Sequence, residues 1–267
     1  MSITPIQAAD PKPAVWIDED DADAFDDDTL FVVGNTLFTV YHELGHALID
    51  LLKLPVIGRE EDAVDGFAAV TMIPETPDDI GDALIVAVAD AWSVQSDLAS
   101  EGMDRRYWDE HALDQQRHFA VVCLMVGSDQ DGFYDYALDS GLPEERIRTC
   151  PYDFTRMKEG WQHLLEPHRR QDDAADGALP IEAPITVVFD EPSPEQEGAR
   201  DLARRDGLLE DAIAGFGETI ALPSPVTIRF TACNEANAYW SPRDREVKIC
   251  YELVDEFEAT LLGAVLR

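Results

Sequence analysis

The stretch of this sequence best suited to chemistry is TVYHELGHALID, in which two histidines bracket a glutamate. A helix places residues four apart on one face, about 6 Å from each other, so His42 and His46 can bind one metal ion. Glu43 would project toward the open position of that ion and take a proton from a metal-bound water. Zinc lowers the pKa of such a water to about 7, which suits a carboxylate base. The spacing predicts a hydrolytic centre with one zinc ion per chain.

The alternative is a chance register of three polar residues on a buried helix. The residues around them are all uncharged: Thr39, Val40, Leu44, Gly45, Ala47 and Leu48. A helix of this kind is expected to be buried, and burying a glutamate and two histidines without partners is costly. A bound metal ion would offset that cost, which favours a metal site.

A zinc site of this type needs a third protein ligand, and the next predicted helix offers candidates. Glu61 follows His46 by fifteen residues, and Asp65 lies one turn further along the same face. Glu61 could complete the ligand set while Asp65 accepts the outer N–H of a ligating histidine. Glu60 and Asp62 point elsewhere on the helix and are expected to be solvated. An ordinary acidic helix start, favoured by the helix dipole, is the alternative.

Apolar periodicity and breaker residues define the elements that must position these groups. Helices are predicted at about 29–54, 60–72, 78–97, 107–128, 131–142 and 151–168. Strands are predicted at 185–190, 226–233 and 246–253, with helices at 193–218 and 254–267. The fold class is therefore α+β, with a helical half that carries HExxH and a small mixed or antiparallel sheet.

Composition shifts divide the chain into four segments. Residues 1–28 form an acidic tail that is expected to be disordered, because a block of like charge has little to bury. Residues 29–168 form the helical catalytic half, and 169–184 are a polar linker rich in Ala, Asp, Gly and Pro. Residues 185–267 are the sheet half, which we expect to complete the same domain.

The net charge of −35 limits the partners of this protein. Such a surface repels nucleic acid and anionic membranes, and it could favour basic substrates or bind cations. A highly soluble surface is the plainer interpretation. No basic start followed by an apolar run is present, so no signal peptide is predicted, and the longest apolar stretch contains charged residues that exclude membrane insertion.

The four cysteines are Cys123, Cys150, Cys233 and Cys250. Their even count permits two disulfides, since Cys233 and Cys250 flank the turn SPRD and Cys123 could pair likewise with Cys150. Free buried thiols are an equal alternative. Without an export signal, a cytoplasmic location is slightly favoured, although disulfides are possible.

HExxH followed by ExxxD on the next helix resembles the gluzincin metallopeptidases, among them thermolysin-like enzymes. More closely, the chain resembles a bacterial metallopeptidase family classed as a domain of unknown function. The matching stretches include HELGHALIDLLKLPVIGREEDAVDGFA, WDEHALDQQRHFAVVCLMVGSD and CNEANAYWSPRDREVKICYEL. The resemblance implies a zincin-like fold, zinc bound by His42, His46 and Glu61, and Glu43 as the general base.

The stretch NAYW resembles the edge strand that lies across the cleft of thermolysin-like enzymes. A free strand edge offers N–H and C=O groups to which a peptide can add as one more strand. This resemblance implies that Asn237, Ala238 and Tyr239 bind substrate. A plain hairpin strand with its aromatic residues in the core is the alternative.

The order of the two halves departs from the zincin pattern, in which the sheet precedes the active helix. A circular permutation within one chain is our preferred explanation, because 169–184 has the composition of a joining linker. A swapped dimer, or two halves taken from neighbouring copies in a longer parent, are the alternatives.

The function predicted from the sequence is a zinc-dependent peptidase that acts on peptides or proteins. Its alternatives are a zinc-containing binding or scaffold protein without turnover, and a hydrolase of non-peptide amides. A donor for the transition state is also needed. By residue type alone, the candidates are His111, Arg117, His118, His163 and Tyr239, and the sequence places none of them at the cleft.

Overall fold

The structure, a computed structural model, describes residues 26–100, 107–170 and 185–265. Nearly all of the predicted acidic tail and of the predicted linker therefore lies outside the described residues. The helical half contains α1 (Asp27–Leu52), α2 (Glu60–Met72), α3 (Asp79–Ser100), α4 (Asp114–Ser128), α5 (Gln130–Asp139), α6 (Glu144–Ile147) and α7 (Cys150–Leu165). The second half contains β1 (Ile185–Phe189), α8 (Glu197–Ala203), α9 (Leu208–Thr219), β2 (Val226–Thr231), β3 (Ala238–Ser241), β4 (Glu246–Cys250) and α10 (Tyr251–Val265).

Helix α1 is the central element and is buried along most of its length. It packs against α2, α3 and α10, and also against β3 and β4 of the sheet. The helix begins two residues before the predicted start, because the Asp26 carboxylate accepts the backbone N–H of Thr29 at 2.7 Å and caps the first turn. It ends where Lys53 adopts a left-handed conformation with φ of 54°. A surrounded helix of this kind can hold polar groups at fixed positions inside the protein.

The sheet is small and mixed, with strand order β1-β2-β4-β3. The first three strands in this order are parallel, and β3 pairs antiparallel with β4. Burial alternates along β2, whose valine, isoleucine and phenylalanine side chains point into the core. The predicted α+β class with a small mixed sheet is confirmed, and β3 forms one edge of that sheet beside α1.

The two halves pack onto each other within one chain. Strand β3 lies against α1, and the indole N–H of Trp240 donates to the Asp50 carboxylate of α1 at 3.3 Å. The first residues of the predicted linker are ordered as well, since Arg169 forms an antiparallel bridge with Ile220. The circular permutation stays a prediction, but the cleft it was meant to explain is formed by one chain.

Several other predicted boundaries are wrong, and three of them change the elements. Helix α4 begins at Asp114 and not at 107, because the Gln116 side chain accepts the N–H of Leu113 and fixes the helix start there. The long helix predicted over 193–218 is divided into α8 and α9 by Gly207, whose φ is 74°. The last strand ends at Cys250, where α10 begins directly. The first of these differences leaves residues 107–113 as a loop.

Both candidate cysteine pairs are disulfides. Cys123–Cys150 joins α4 to α7, and Cys233–Cys250 joins the chain before β3 to the end of β4. Disulfides persist in oxidising compartments, which weighs against the slight cytoplasmic preference drawn from the sequence. Among the described helices, none has the length and apolar character needed to cross a membrane.

Candidate metal centre and active site

Three imidazoles converge on one carboxylate oxygen in the cleft between α1, α2 and the 107–113 loop. The Nε2 atoms of His42, His46 and His111 lie 3.1, 3.4 and 3.0 Å from Oε2 of Glu61. His42 and His46 are one turn apart on α1, and Glu61 is in the first turn of α2. The structure thus brings together the three residues predicted as ligands. It adds His111, which the sequence identified only by its residue type.

Asp65 fixes the orientation of His42 through Nδ1, the ring nitrogen that does not face Glu61. The His42 Nδ1 lies 2.7 Å from the Asp65 carboxylate, which accepts the Nδ1 hydrogen, and Nε2 is thereby directed to Glu61. The other side of Asp65 accepts from the guanidinium of Arg117, whose Nε lies 2.7 Å from Oδ2. That guanidinium also lies over the ring of Trp92, 3.6 Å from its centroid. Asp65 therefore occupies the position predicted for a residue that orients a ligand.

The orientation of His46 is fixed by a residue that was predicted to be solvated. Its Nδ1 lies 2.8 Å from Oε1 of Glu60, whose side chain is about half exposed. Because Glu60 starts α2, its carboxylate reaches back across the loop to α1. Each histidine of the motif thus directs one nitrogen to an orienting carboxylate and the other toward Glu61. Asp62 is exposed and pairs with Arg59, as expected for a solvated residue.

Glu43 lies between the histidines and the edge strand and is only 8% exposed. The backbone N–H of Trp240 in β3 acts on its carboxylate as a hydrogen-bond donor. Burial raises the pKa of Glu43 above its usual range, and this outweighs the opposing influence of His42 and His46. A carboxylate of raised pKa beside an open cleft has the properties of a general base that works near neutral pH.

Strand β3 presents part of its backbone to the cleft. The carbonyl of Asn237 accepts the N–H of Cys250 at 3.0 Å, so Asn237 and, two residues later, Tyr239 direct their backbone groups to β4. The backbone groups of Ala238 and Trp240 point the other way. The N–H of Ala238 is already bonded to the Asn237 side chain at 2.9 Å. All three residues predicted to bind substrate line the cleft.

The other donor candidates occupy different environments. His118 is buried and its Nδ1 donates to the carbonyl of Ala89 at 2.7 Å, which is a structural role. His163 is exposed on α7 and lines neither cavity beside Glu43. Arg117 is occupied by Asp65, a bond that no pattern in the sequence indicated. His111 reaches Glu61 from the 107–113 loop and not from the predicted helix.

The charges of the cluster reinforce one another. Burial opposes the charged form of His46, but hydrogen bonds to Glu61 and Glu60 outweigh it and raise its pKa to about 9. The hydrogen bond to Glu61 similarly raises the pKa of His111. Burial alone would raise the pKa of Glu61, yet the three imidazoles hold it well below its usual range. Glu61 is therefore ionised, as a metal ligand must be.

The donor set fits a metal ion. Ligand atoms of His42, Glu61 and His111 all lie within 4.8 Å of one another, and Nε2 of His46 faces the same carboxylate oxygen. Imidazole nitrogens with one carboxylate oxygen form a set that suits zinc. Each histidine of the HExxH pair has its second nitrogen engaged, which is typical of ligating histidines. A second group, at Cys233, Cys250 and Glu252, has its two sulfurs joined in a disulfide.

Comparison with known proteins gives one family. Residues 15–165 and 189–264 match the sequence profile of a family described as "Putative metallopeptidase". Neither a curated protein nor a solved structure matches the chain. The match covers both the helical half and the sheet half, so it includes every residue of the cluster around Glu61 and of the edge strand. The chain belongs to this metallopeptidase family.

Proposed function

We propose that the protein is a zinc-dependent peptidase of zincin-like architecture. His42, His46 and Glu61 would hold the ion, and Asp65 would orient His42. The observation that carries this proposal is the convergence of imidazole Nε2 atoms on one ionised carboxylate oxygen, directly beside a buried glutamate. When bound there, zinc supplies a Lewis acid that acidifies water and polarises a carbonyl group.

Glu43 serves as the general base in this proposal. Its carboxylate takes a proton from the attacking water and later delivers a proton to the departing amine. Its burial favours the protonated form, and the N–H of Trp240 stabilises the charged form, so the group can pass between the two. Glutamate in a partly apolar environment is suited to both steps near neutral pH.

The remaining groups position the substrate. The outward backbone groups of β3 let an extended peptide add to the sheet edge, which aligns its scissile carbonyl with the cleft. His111 lines the same cleft as β3 and its side chain is 43% exposed, so it can donate a hydrogen bond to the carbonyl oxygen as negative charge develops. Tyr239 also lines this cleft, is 39% exposed, and offers a surface for a substrate side chain.

A paired measurement tests this proposal. Metal analysis of the purified protein and of Glu43→Gln should give about one zinc per chain in both, because the base is not a ligand. Hydrolysis of a mixed peptide library should be seen with the zinc-loaded protein and be lost in Glu43→Gln. Zinc binding without any turnover would favour a zinc-containing binding or scaffold protein. Hydrolysis of non-peptide amides but not of peptides would favour an amide hydrolase. Absence of zinc would refute the proposal.

A further inference from the structure

A cavity of about 230 Å³ opens beside Glu43, on the side of the site away from His46. It is enclosed by the first half of α1, by α3, by α10 and by the residues that lead into β3. Its walls are about equally polar and apolar, and the apolar part includes Phe38, Trp92 and Phe257. A side chain of a peptide lying along β3 could enter it without displacing any element, since the space already exists.

Two polar side chains of α1 offer hydrogen-bond acceptors to this cavity. Asn35 is 5% exposed, and its Nδ2 donates to the carbonyls of Phe31 and Ala87 at 2.9 and 3.2 Å. Both amide hydrogens are thereby committed, so the side-chain oxygen of Asn35 remains as an acceptor. Thr39 also gives its hydroxyl hydrogen away, to the Asn35 carbonyl at 2.9 Å. The Trp92 indole N–H is buried without a protein partner among the described residues, and Gln95, His111 and Asn237 also bring N–H groups to the lining.

The rim adds negative charge. Glu256 on α10 lines the cavity and is exposed, and it has no ion pair with any lysine or arginine in the described ranges. Among those residues, Arg117 is the only lysine or arginine that lines the cavity, and its charge is balanced by Asp65 at hydrogen-bond distance. A cation entering the cavity could therefore meet the Glu256 carboxylate and the Asn35 oxygen, and no unbalanced lysine or arginine lines the cavity among the described residues.

The adjoining cleft has the same sign of charge. Asp50, Glu60 and Glu110 line the part of the site that contains His46. Lys53 lines it too, but its ammonium pairs with Asp50 at 3.1 Å. Clefts lined by one sign of charge concentrate the field and attract substrates of the opposite sign. The net charge of −35 for the whole chain acts in the same direction.

We propose that the cavity beside Glu43 receives a lysine or arginine side chain of the substrate, so that the enzyme selects cationic peptides. This inference rests on the proposed function. The aliphatic stem of the side chain lies along Phe38 and Trp92, and its terminal N–H groups reach the Asn35 oxygen and the Glu256 carboxylate. A neutral side chain of equal length would fill the same space but leave those acceptors unpaired.

Binding to an inactive protein tests the inference independently of turnover. Zinc-loaded Glu43→Gln is titrated with fluorescent peptides that differ at one position, which carries lysine, norleucine or glutamate. Norleucine is the control, because it keeps the length of the stem and removes the charge. The lysine peptide is expected to bind about tenfold more tightly than the norleucine peptide, which is the effect of one partly screened charge pair. The glutamate peptide should bind more weakly than both.

A second substitution locates the effect. Adding Glu256→Gln should lower the affinity for the lysine peptide about fivefold to tenfold and leave the norleucine peptide unchanged. Glu258→Gln is the matched control, because it removes an equal charge from an exposed position of α10 that does not line the cavity. It should change neither affinity. Both sites are exposed on a helix, and thermal unfolding of each variant verifies that the fold is kept.

The outcomes separate this inference from the proposed function. Equal affinity for lysine and norleucine, or a loss that Glu258→Gln reproduces, would overturn the cationic pocket. If the wild-type protein hydrolyses peptides but shows no preference for lysine, the peptidase function stands and the inference fails. If lysine is preferred in binding while no peptide is cleaved, the pocket stands and the peptidase function fails.

Discussion

Asp65→Asn is the substitution that most directly tests how the metal centre is organised. The carboxylate accepts the N–H of His42 at 2.7 Å on one side and the Arg117 guanidinium on the other. Burial opposes its ionisation, but the bond from His42 and the charge of Arg117 outweigh this and lower the pKa of Asp65. Asparagine has one acceptor oxygen, so its NH₂ group must face either His42 or Arg117, both of which are donors.

Two separate losses follow from this geometry. Without a firm acceptor for its Nδ1 hydrogen, His42 is no longer held in the tautomer that directs the Nε2 lone pair to the ion. Loss of such an orienting group weakens metal binding by about tenfold to a hundredfold, or about 1.4 kcal/mol for each factor of ten. The Arg117 side chain is only 11% exposed, and removing the partner of a buried charge costs about 3 kcal/mol of stability.

A double variant distinguishes the two losses. Urea unfolding of the metal-free protein should show the stability loss in Asp65→Asn, and Asp65→Asn combined with Arg117→Gln should recover most of it. Zinc affinity, measured by competition with a chelator, should stay low in both. If Asp65→Asn binds zinc as tightly as the wild type, Asp65 does not orient His42. If the double variant recovers zinc affinity, Asp65 acts only by neutralising Arg117.

Three further substitutions have defined outcomes. His111→Phe should lower kcat/KM about a hundredfold, the effect of losing one transition-state donor, while zinc affinity in a chelator assay changes little; a large affinity loss would make His111 a ligand instead. Gly34→Ala should lower the free energy of unfolding in urea by about 1–3 kcal/mol, because the new Cβ would lie 2.6 Å from the Leu84 carbonyl oxygen. Gly160→Ala is the control, because its Cβ meets nothing within 4 Å and should not lower the free energy of unfolding. Burial alone would raise the pKa of Glu252, but the three N–H donors bonded to its carboxylate lower that pKa below 4.5 in the folded protein. The ionised carboxylate therefore stabilises the fold above pH 4.5, and this stabilisation is lost as the pH falls through the pKa of Glu252 in the folded state. The deficit of Glu252→Gln, about 1 kcal/mol at pH 7, should therefore shrink in urea unfolding at pH 3, and a constant deficit would contradict the assigned pKa.

The residues expected to form the metal centre could be found from local spacing alone. His42 and His46 are one helical turn apart, and Glu61 and Asp65 are one turn apart on the next helix, so a period of four residues decides which groups share a face. The same rule assigned Glu60 to the solvent, and its side chain is about half exposed, but the rule did not predict its contact with His46. A residue at a helix start is not confined to its own face, because its side chain can reach back across the connecting loop.

The contribution of the 107–113 loop could not be predicted in the same way. The segment YWDEHALD was read as part of a helix, and on a helix the direction of His111 depends on where that helix lies in space. A signal was nevertheless present, since 107–113 carries three charged or titratable residues in succession and lacks the apolar period that begins after Asp114. Tertiary placement of a loop histidine depends on contacts between distant segments, and one sequence does not encode these in any periodic form.

The polar face of α1 extends further than the metal motif, and this extension connects the metal centre to the neighbouring cavity. Asn35, Thr39, Glu43 and His46 succeed one another at three- or four-residue intervals and therefore lie along one side of a helix that is otherwise surrounded by apolar groups. A polar stripe of this length inside a core is costly unless each member has a partner. Asn35 and Thr39 give all their hydrogens to backbone carbonyls, and they keep only acceptor oxygens for the cavity. Because Arg117 lines this cavity and also holds the carboxylate that orients His42, the walls of the cavity and the metal centre share one network of hydrogen bonds.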